Sequence, residues 1–412
     1  AGGNVSFFNG DRRWSFAGLF NNINQQNFSN EDLLGVTSSS GSTGRQGGGN
    51  RGGGGNRGGG GGSANNFLVG QQNGISTTNS FGINYGDKWG KKIDVAGSYF
   101  FNNSKTGNDQ LSNTQYFIKD TAGQLYDETS LSNSNNFNHR INMRMEYKLD
   151  SFNSFVFTPS ISFQNNKSGN IVDGTRYYTI NDLISSTKYN RSSNTAGFNT
   201  NNNLLYRHAF AKKGRTLSVN IGIGGSHKEG DILLQSVNQY YNVINANDSI
   251  RQQTSQLVNG INYSGNISYT EPAGKQGQLQ FSYSPSVSKN KSDQQVNQFD
   301  RLTSKYALFD TSLSNKFDNT VTSHNAGLSY RVGNKDNMFS IGLSYKYTGL
   351  NSEQVFPTKA AVNKSFNNLL PNLMWRKKFS AKSSIRLMYR AGTDAPSISQ
   401  LQNVINNTNP LF

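Results

Sequence analysis

Apolar and polar residues alternate with period two in segment after segment of this chain. From Arg140 to Leu149 every odd position is apolar or aromatic and every even one polar or charged. Leu217, Val219, Ile221 and Ile223 alternate with Ser218, Asn220 and Gly222. The same rhythm carries Leu279, Phe281, Tyr283, Pro285 and Val287, and then Phe339, Ile341, Leu343, Tyr345 and Tyr347. Ile93, Val95, Tyr99 and Phe101 repeat it with Gly97 among them. Successive strand side chains point to opposite faces, so each segment predicts a strand with one apolar and one wet face.

Alternation alone also fits a soluble sandwich, and the spacing of turns separates the two. Short polar turn signals stand at Asn9-Gly10-Asp11, Gly86-Asp87-Lys88, Leu149-Asp150-Ser151, Lys213-Gly214-Arg215, Ala273-Gly274-Lys275, Gly333-Asn334-Lys335 and Phe379-Ser380-Ala381. They recur at intervals of roughly 60 residues, where a sandwich expects a turn every 8–12 or so. Each interval reads as a strand, a long polar loop and a returning strand. The expected loops are rich in Asn, Ser and Gln, as from Asn102 to Asn136 and from Lys289 to Asn319. Tight turns at one end and long loops at the other predict an all-β, antiparallel transmembrane barrel, with short periplasmic turns and long extracellular loops. About 13–14 strands are expected between Val5 and Ala391. Trp14, Trp89 and Trp375 lie close to predicted turns, where an aromatic girdle meets lipid headgroups.

Composition removes the main alternatives. Only 33% of the 412 residues are hydrophobic, too few for a conventional soluble core of this size. Aromatic residues at 12% speak against a disordered chain. A barrel needs apolar side chains on one face only, and so is polar on average. No run approaches 18 apolar residues, so no transmembrane helix is expected. The N-terminus, Ala1-Gly2-Gly3-Asn4-Val5, carries no export signal, and the last residues, Asn409-Pro410-Leu411-Phe412, fall where an outer loop is expected. The expectation is therefore a partial barrel domain over 1–412, preceded by a signal peptide and followed by further strands. The net charge of +16 is spread along the chain and concentrates at turns, which fits solvated turns and a polar lumen.

Residues 44–62 are nearly pure Gly, Asn and Arg. An Arg-Gly nucleic-acid segment would interleave aromatics for base stacking, and this tract has none. It reads as a flexible insertion within an outer loop spanning 26–73, between a strand near Arg12–Gln25 and one near Ile75–Gly86. No nucleic acid is expected as a partner, and a soluble RNA-binding protein is the remote alternative.

Catalytic signals are lacking. His139, His208, His227 and His324 stand far apart, without the spacings that place two metal ligands on one face. The acidic residues Asp109, Asp127 and Glu128 do not form a calcium-loop register. No nucleophile elbow or phosphate-binding loop occurs. No enzyme activity, cofactor or metal is expected, and a barrel hydrolase is a minor rival. The polar strand face supplies candidate lumen residues instead: Arg140, Asn142, Arg144 and Glu146, with Lys346 on another strand.

Near the C-terminal end, Pro396, Ser397, Gln400 and Leu401 lead to Asn409 and Pro410. This resembles the signature found well into the barrel of TonB-dependent receptors and outer-membrane β-barrel proteins of Bacteroidetes. The segments Asn73–Thr78, Asp87–Gly90 and Gly97–Phe100, and the Gly-rich loop before them, look like the same group. The resemblance implies a barrel of 22 strands in the outer membrane, closed by an N-terminal plug and energised by an inner-membrane TonB complex. On that footing the expected role is uptake of a bulky nutrient such as a siderophore, glycan or peptide. A non-energised porin or structural barrel is the alternative.

Overall fold

The computed structural model describes residues 1–22, 74–117, 123–178, 182–241, 247–380 and 382–394. The whole 26–73 loop with its tract at 44–62, and the motif residues Pro396, Ser397, Gln400, Leu401, Asn409 and Pro410, lie outside the described residues.

The described chain is one antiparallel sheet of 15 strands. It opens with β1 (Gly2–Asn9), β2 (Arg12–Asn21), β3 (Ile75–Trp89) and β4 (Ile93–Tyr116). β5 (Gln124–Lys148), β6 (Asn153–Tyr177), β7 (Leu183–Ala209) and β8 (Thr216–Tyr240) follow, then β9 (Asn247–Ala273) and β10 (Gly277–Asp300). The short β11 (Lys305–Phe309) precedes β12 (Asn315–Gly333), β13 (Asn337–Phe356), β14 (Ala360–Lys378) and β15 (Ser384–Arg390). Each strand pairs with its sequence neighbours, except that β10 pairs β12 directly and β11 folds back on β10.

Parity of position assigns every strand two faces. Ile83, Tyr99, Ile141 and Ile161 pair in one cross-strand row, and Leu204 pairs Ile221 on the same face. Ile141, Ile221, Ile267, Phe281, Leu328, Ile341, Leu343 and Leu369 all stand exposed. So broad an exposed apolar surface requires an apolar surrounding. The opposite face is the more enclosed one. The side chains of Ser76, Thr78, Phe100, Asn102, Ser236 and Asn319 are fully buried, and all lie on this polar face.

The apolar belt begins at the tight turns and extends about ten residues up each strand, the reach of a tilted strand across hydrocarbon. Near the turns it carries aromatics: Trp14 lies 4.6 Å from Tyr85, and Phe155 5.0 Å from Tyr206. At its upper edge Phe81, Phe101, His139, Phe163, Phe198 and His227 form a continuous row. Ring centroids there are 5.0 Å apart for Phe101–His139 and 5.7 Å for Phe198–His227. Followed further, the row passes to Asn259, Lys291 and Asp318, all polar. A row that leaves the apolar belt as strands are crossed is the mark of strands tilted to the membrane normal.

Two expectations need correction. The segments expected as long loops, Asn102–Asn136 and Lys289–Asn319, are mostly ladder: β4 continues to Tyr116, β5 starts at Gln124, and β10 runs to Asp300. Beyond the bilayer the outer face no longer meets lipid, so no apolar period is needed on that face to keep a strand paired. Cross-strand polar pairs take over, such as Asn103 Nδ2 donating to Asn135 Oδ1 at 2.8 Å and Thr187 Oγ1 donating to Asn238 Oδ1 at 2.8 Å. The second correction concerns Gly86-Asp87-Lys88, which lies inside β3; the reversal comes at Gly90, with φ of +68°. Asp87 remains in the strand because its carboxylate accepts bonds from Arg12 Nε and Tyr85 Oη, both at 2.9 Å. The other six expected turns fall between the strands they were expected to join.

Candidate functional site: the polar face and its outer mouth

The five sequence candidates all lie on the polar face. Arg140 is half-buried between Phe100 of β4 and Ser162 of β6. Asn142 pairs with Ser98 and Ser160. The Arg144 guanidinium donates to Glu146 Oε2 at 2.6 Å, two residues along the same face. Lys346 stands on β13 and donates to the Thr393 carbonyl at 2.9 Å. The four β5 residues form one vertical strip. Lys346 is not part of it, since β6–β10 and β12 intervene in the sheet.

Higher on the same face is a cluster that strand periodicity did not reveal. Tyr116 of β4, Tyr126 and Glu128 of β5, and Arg176 of β6 share it, with Tyr126 paired to Arg176. The Arg176 guanidinium carbon lies 5.6 Å from the Tyr116 ring centroid and 5.7 Å from that of Tyr126. Tyr126 Oη donates to Glu128 Oε2 at 3.1 Å. Arg176 Nε is buried and without a hydrogen-bond partner. A cation held between two aromatic faces keeps its edge N–H groups for a further acceptor. Burial, followed by the acceptor Glu128, pushes the Tyr126 phenol up to about 12, so it stays a neutral donor. By strand rise and tilt the cluster stands roughly 30 Å above the His139 row. The signal for it was pairing register, which places Tyr126 beside Arg176 across 50 residues of sequence and is invisible to a single-strand pattern.

Behind the cluster, on the opposite face, Asp127 accepts bonds from Tyr177 Oη and Asn113 Nδ2, both at 2.6 Å. Tyr177 first and Asn113 second hold its carboxyl below the usual carboxylate range. The folded-state value is depressed, so the stabilisation is full above the ordinary aspartate pKa and disappears as pH falls through the folded value. Amide protection factors at the upper ends of β4–β6, in which the intrinsic pH dependence of exchange is divided out, should therefore be level from pH 7 to about 4.5 and fall below about pH 4. Unchanged protection at low pH would remove Asp127 from this role.

The histidines are distributed along the apolar face. His139 and His324 each bond a tyrosine hydroxyl through Nδ1, at 2.9 Å to Tyr99 and 2.8 Å to Tyr283. His208 and His227 bond asparagine oxygens through Nδ1, both at 2.7 Å, from Asn153 and Asn259. Among the described residues no three His, Asp or Glu side chains come together as metal ligands.

Residues 208–412 match the outer membrane protein beta-barrel family. That stretch belongs to the family, and with the antiparallel sheet it makes the chain an outer-membrane β-barrel protein. No curated protein matches the chain. In the barrel protein the exposed apolar belt faces outer-membrane lipid, and the short turns mark the periplasmic side. The elongated polar ends of β4–β10 then stand on the extracellular side.

Proposed function

We propose that this barrel is a receptor that captures a bulky polar nutrient (a siderophore, glycan or peptide) and imports it with energy from a TonB complex. No chemistry on the ligand is part of this reading. One observation carries it. Among the described residues, every buried side-chain polar atom left without a hydrogen-bond partner lies on the polar face, including those of Thr78, Asn102, Asn142, Arg176, Ser236 and Asn325. Buried polar groups are rarely left unpaired, so a wall of them favours a second polar surface seated against it. A barrel of this strand number is also too wide for its own side chains to fill. TonB coupling rests on the resemblance to the Bacteroidetes receptors alone.

The test is electrical and biochemical. The product of the complete gene, reconstituted in a planar bilayer, should show no steady open-channel conductance, and it should crosslink to TonB in cells. A large steady conductance without crosslinking would establish the passive porin instead. Charge removal at the mouth by Arg176→Ala should weaken nutrient-dependent uptake while leaving the amount of folded barrel in the membrane unchanged.

A further inference from the structure

The apolar face is not smooth above the belt. A groove of about 870 Å3 crosses it from β3 to β9, at the level of Ile75, Gly107, Asn133, Gly169, Ser192 and Leu233. These six positions pair in one cross-strand row, and all lie on the lipid-facing side of the sheet. The next row toward the membrane is Lys105, Asn135 and Lys167, with Asn135 paired to both lysines. The two lysine Cα atoms are thus about 10 Å apart. Both side chains are exposed, and no described carboxylate forms an ion pair with either. Asn103 Nδ2 donates to Asn135 Oδ1, so the Asn135 NH2 group remains as a donor between the two cations. Asp231 lines the far end of the groove, two strands beyond Lys167, where Ser255 Oγ donates to it at 2.6 Å.

Height decides what such a site meets. Lys105 lies four residues beyond Phe101 of the aromatic row, and Lys167 four beyond Phe163. On tilted strands that is about 10 Å above the hydrocarbon edge, within or just above the headgroup layer. We infer that Lys105, Asn135 and Lys167 form a docking site for the phosphate of an outer-leaflet glycolipid headgroup, whose sugars lie along the groove. The site is continuous with the lipid-facing belt, and its charge is complementary to phosphate. The groove is open over Gly107, where a Cβ would meet nothing within 4 Å, so a large side chain there would project into it.

Native mass spectrometry of the full-length protein in detergent, with added phosphorylated lipid A, tests this directly. Lys105→Glu combined with Lys167→Glu should weaken retention of the glycolipid about thirtyfold or more. Gly107→Trp should weaken it without changing charge. Lys213→Glu combined with Lys275→Glu, in the periplasmic turns, carries the same charge change and should leave retention as in the wild type. Dephosphorylated lipid A should bind as weakly as the lysine variant does. Equal retention of both lipid forms, or an equal loss in the turn control, overturns the site. Displacement by millimolar inorganic phosphate also overturns it, because the site would then be one for free phosphate.

Discussion

Ile221→Arg should cost on the order of 2–4 kcal/mol of stability in a bilayer, whereas Asn220→Arg should be nearly neutral. Ile221 stands 51% exposed on the lipid face of β8, paired with Leu204 and Gly265. It lies about mid-way between the Thr216 end of the strand and His227 on the upper rim, too far from either edge for a guanidinium to reach headgroups easily. Asn220 belongs to the polar face, where a long cation meets water. Urea unfolding in thin-chain liposomes measures both values. Equal costs at the two positions would mean that the facing of β8 is misassigned, and a larger cost at Asn220 would mean that its two faces are exchanged.

Gly333→Ala should be of similar severity, roughly 3 kcal/mol, for a purely local reason. Gly333 ends β12 with φ of +111°, a conformation that residues with a Cβ rarely adopt. A Cβ there would also run into the backbone carbonyl of Asn337, whose oxygen accepts the Asn334 amide at 2.7 Å and so cannot move away freely. The rest of that turn is held by Asn334 Oδ1, which accepts the amides of Asp336 and Asn337, both at 2.9 Å. Gly10 is the control. Its φ of +59° is the ordinary left-handed value and a Cβ there meets nothing within 4 Å, so Gly10→Asn should cost less than about 1 kcal/mol. Heat-modifiability midpoints would compare the two, and a harmless Gly333→Ala would show that the β12–β13 turn relaxes.

Which parts of the fold the sequence disclosed follows from where an apolar phase acts. Between the turns and the His139 row, lipid on one side forces strict alternation, so strands such as Arg140–Lys148 and Leu217–Ile223 were readable at once. Above that row no lipid presses on the outer face, and buried apolar residues on the inner face, such as Val172, Tyr189 and Leu234, are too few to impose a period. Stretches such as Asn102–Tyr116 and Lys289–Asp300 lose the alternation and look like loop, although they continue the ladder. The turn expected at Gly86-Asp87-Lys88 was misplaced for a different reason. Its aspartate is matched by Arg12, a partner 75 residues away that no local window contains. The β5 candidates were assigned by parity, and parity is what the sheet displays. The Tyr116–Arg176–Tyr126 cluster needed the register of three strands at once, and no single-strand pattern holds that information.

The length of the strands has a bearing on how a ligand would be met. In many receptors the outer surface consists of loops that must be ordered as the ligand arrives. Here β4–β9 carry their backbone pairing well beyond the membrane, up to Tyr116, Gln124, Tyr177, Leu183, Tyr240 and Asn247. The backbone order of this wall is set when the barrel folds, so little of it is left to be lost at encounter. Recognition by such a palisade should resemble the fit of a key to a rigid lock, without the large heat-capacity change that accompanies ordering on binding. Discrimination among ligands would then come from the shape of the wall more than from its movement.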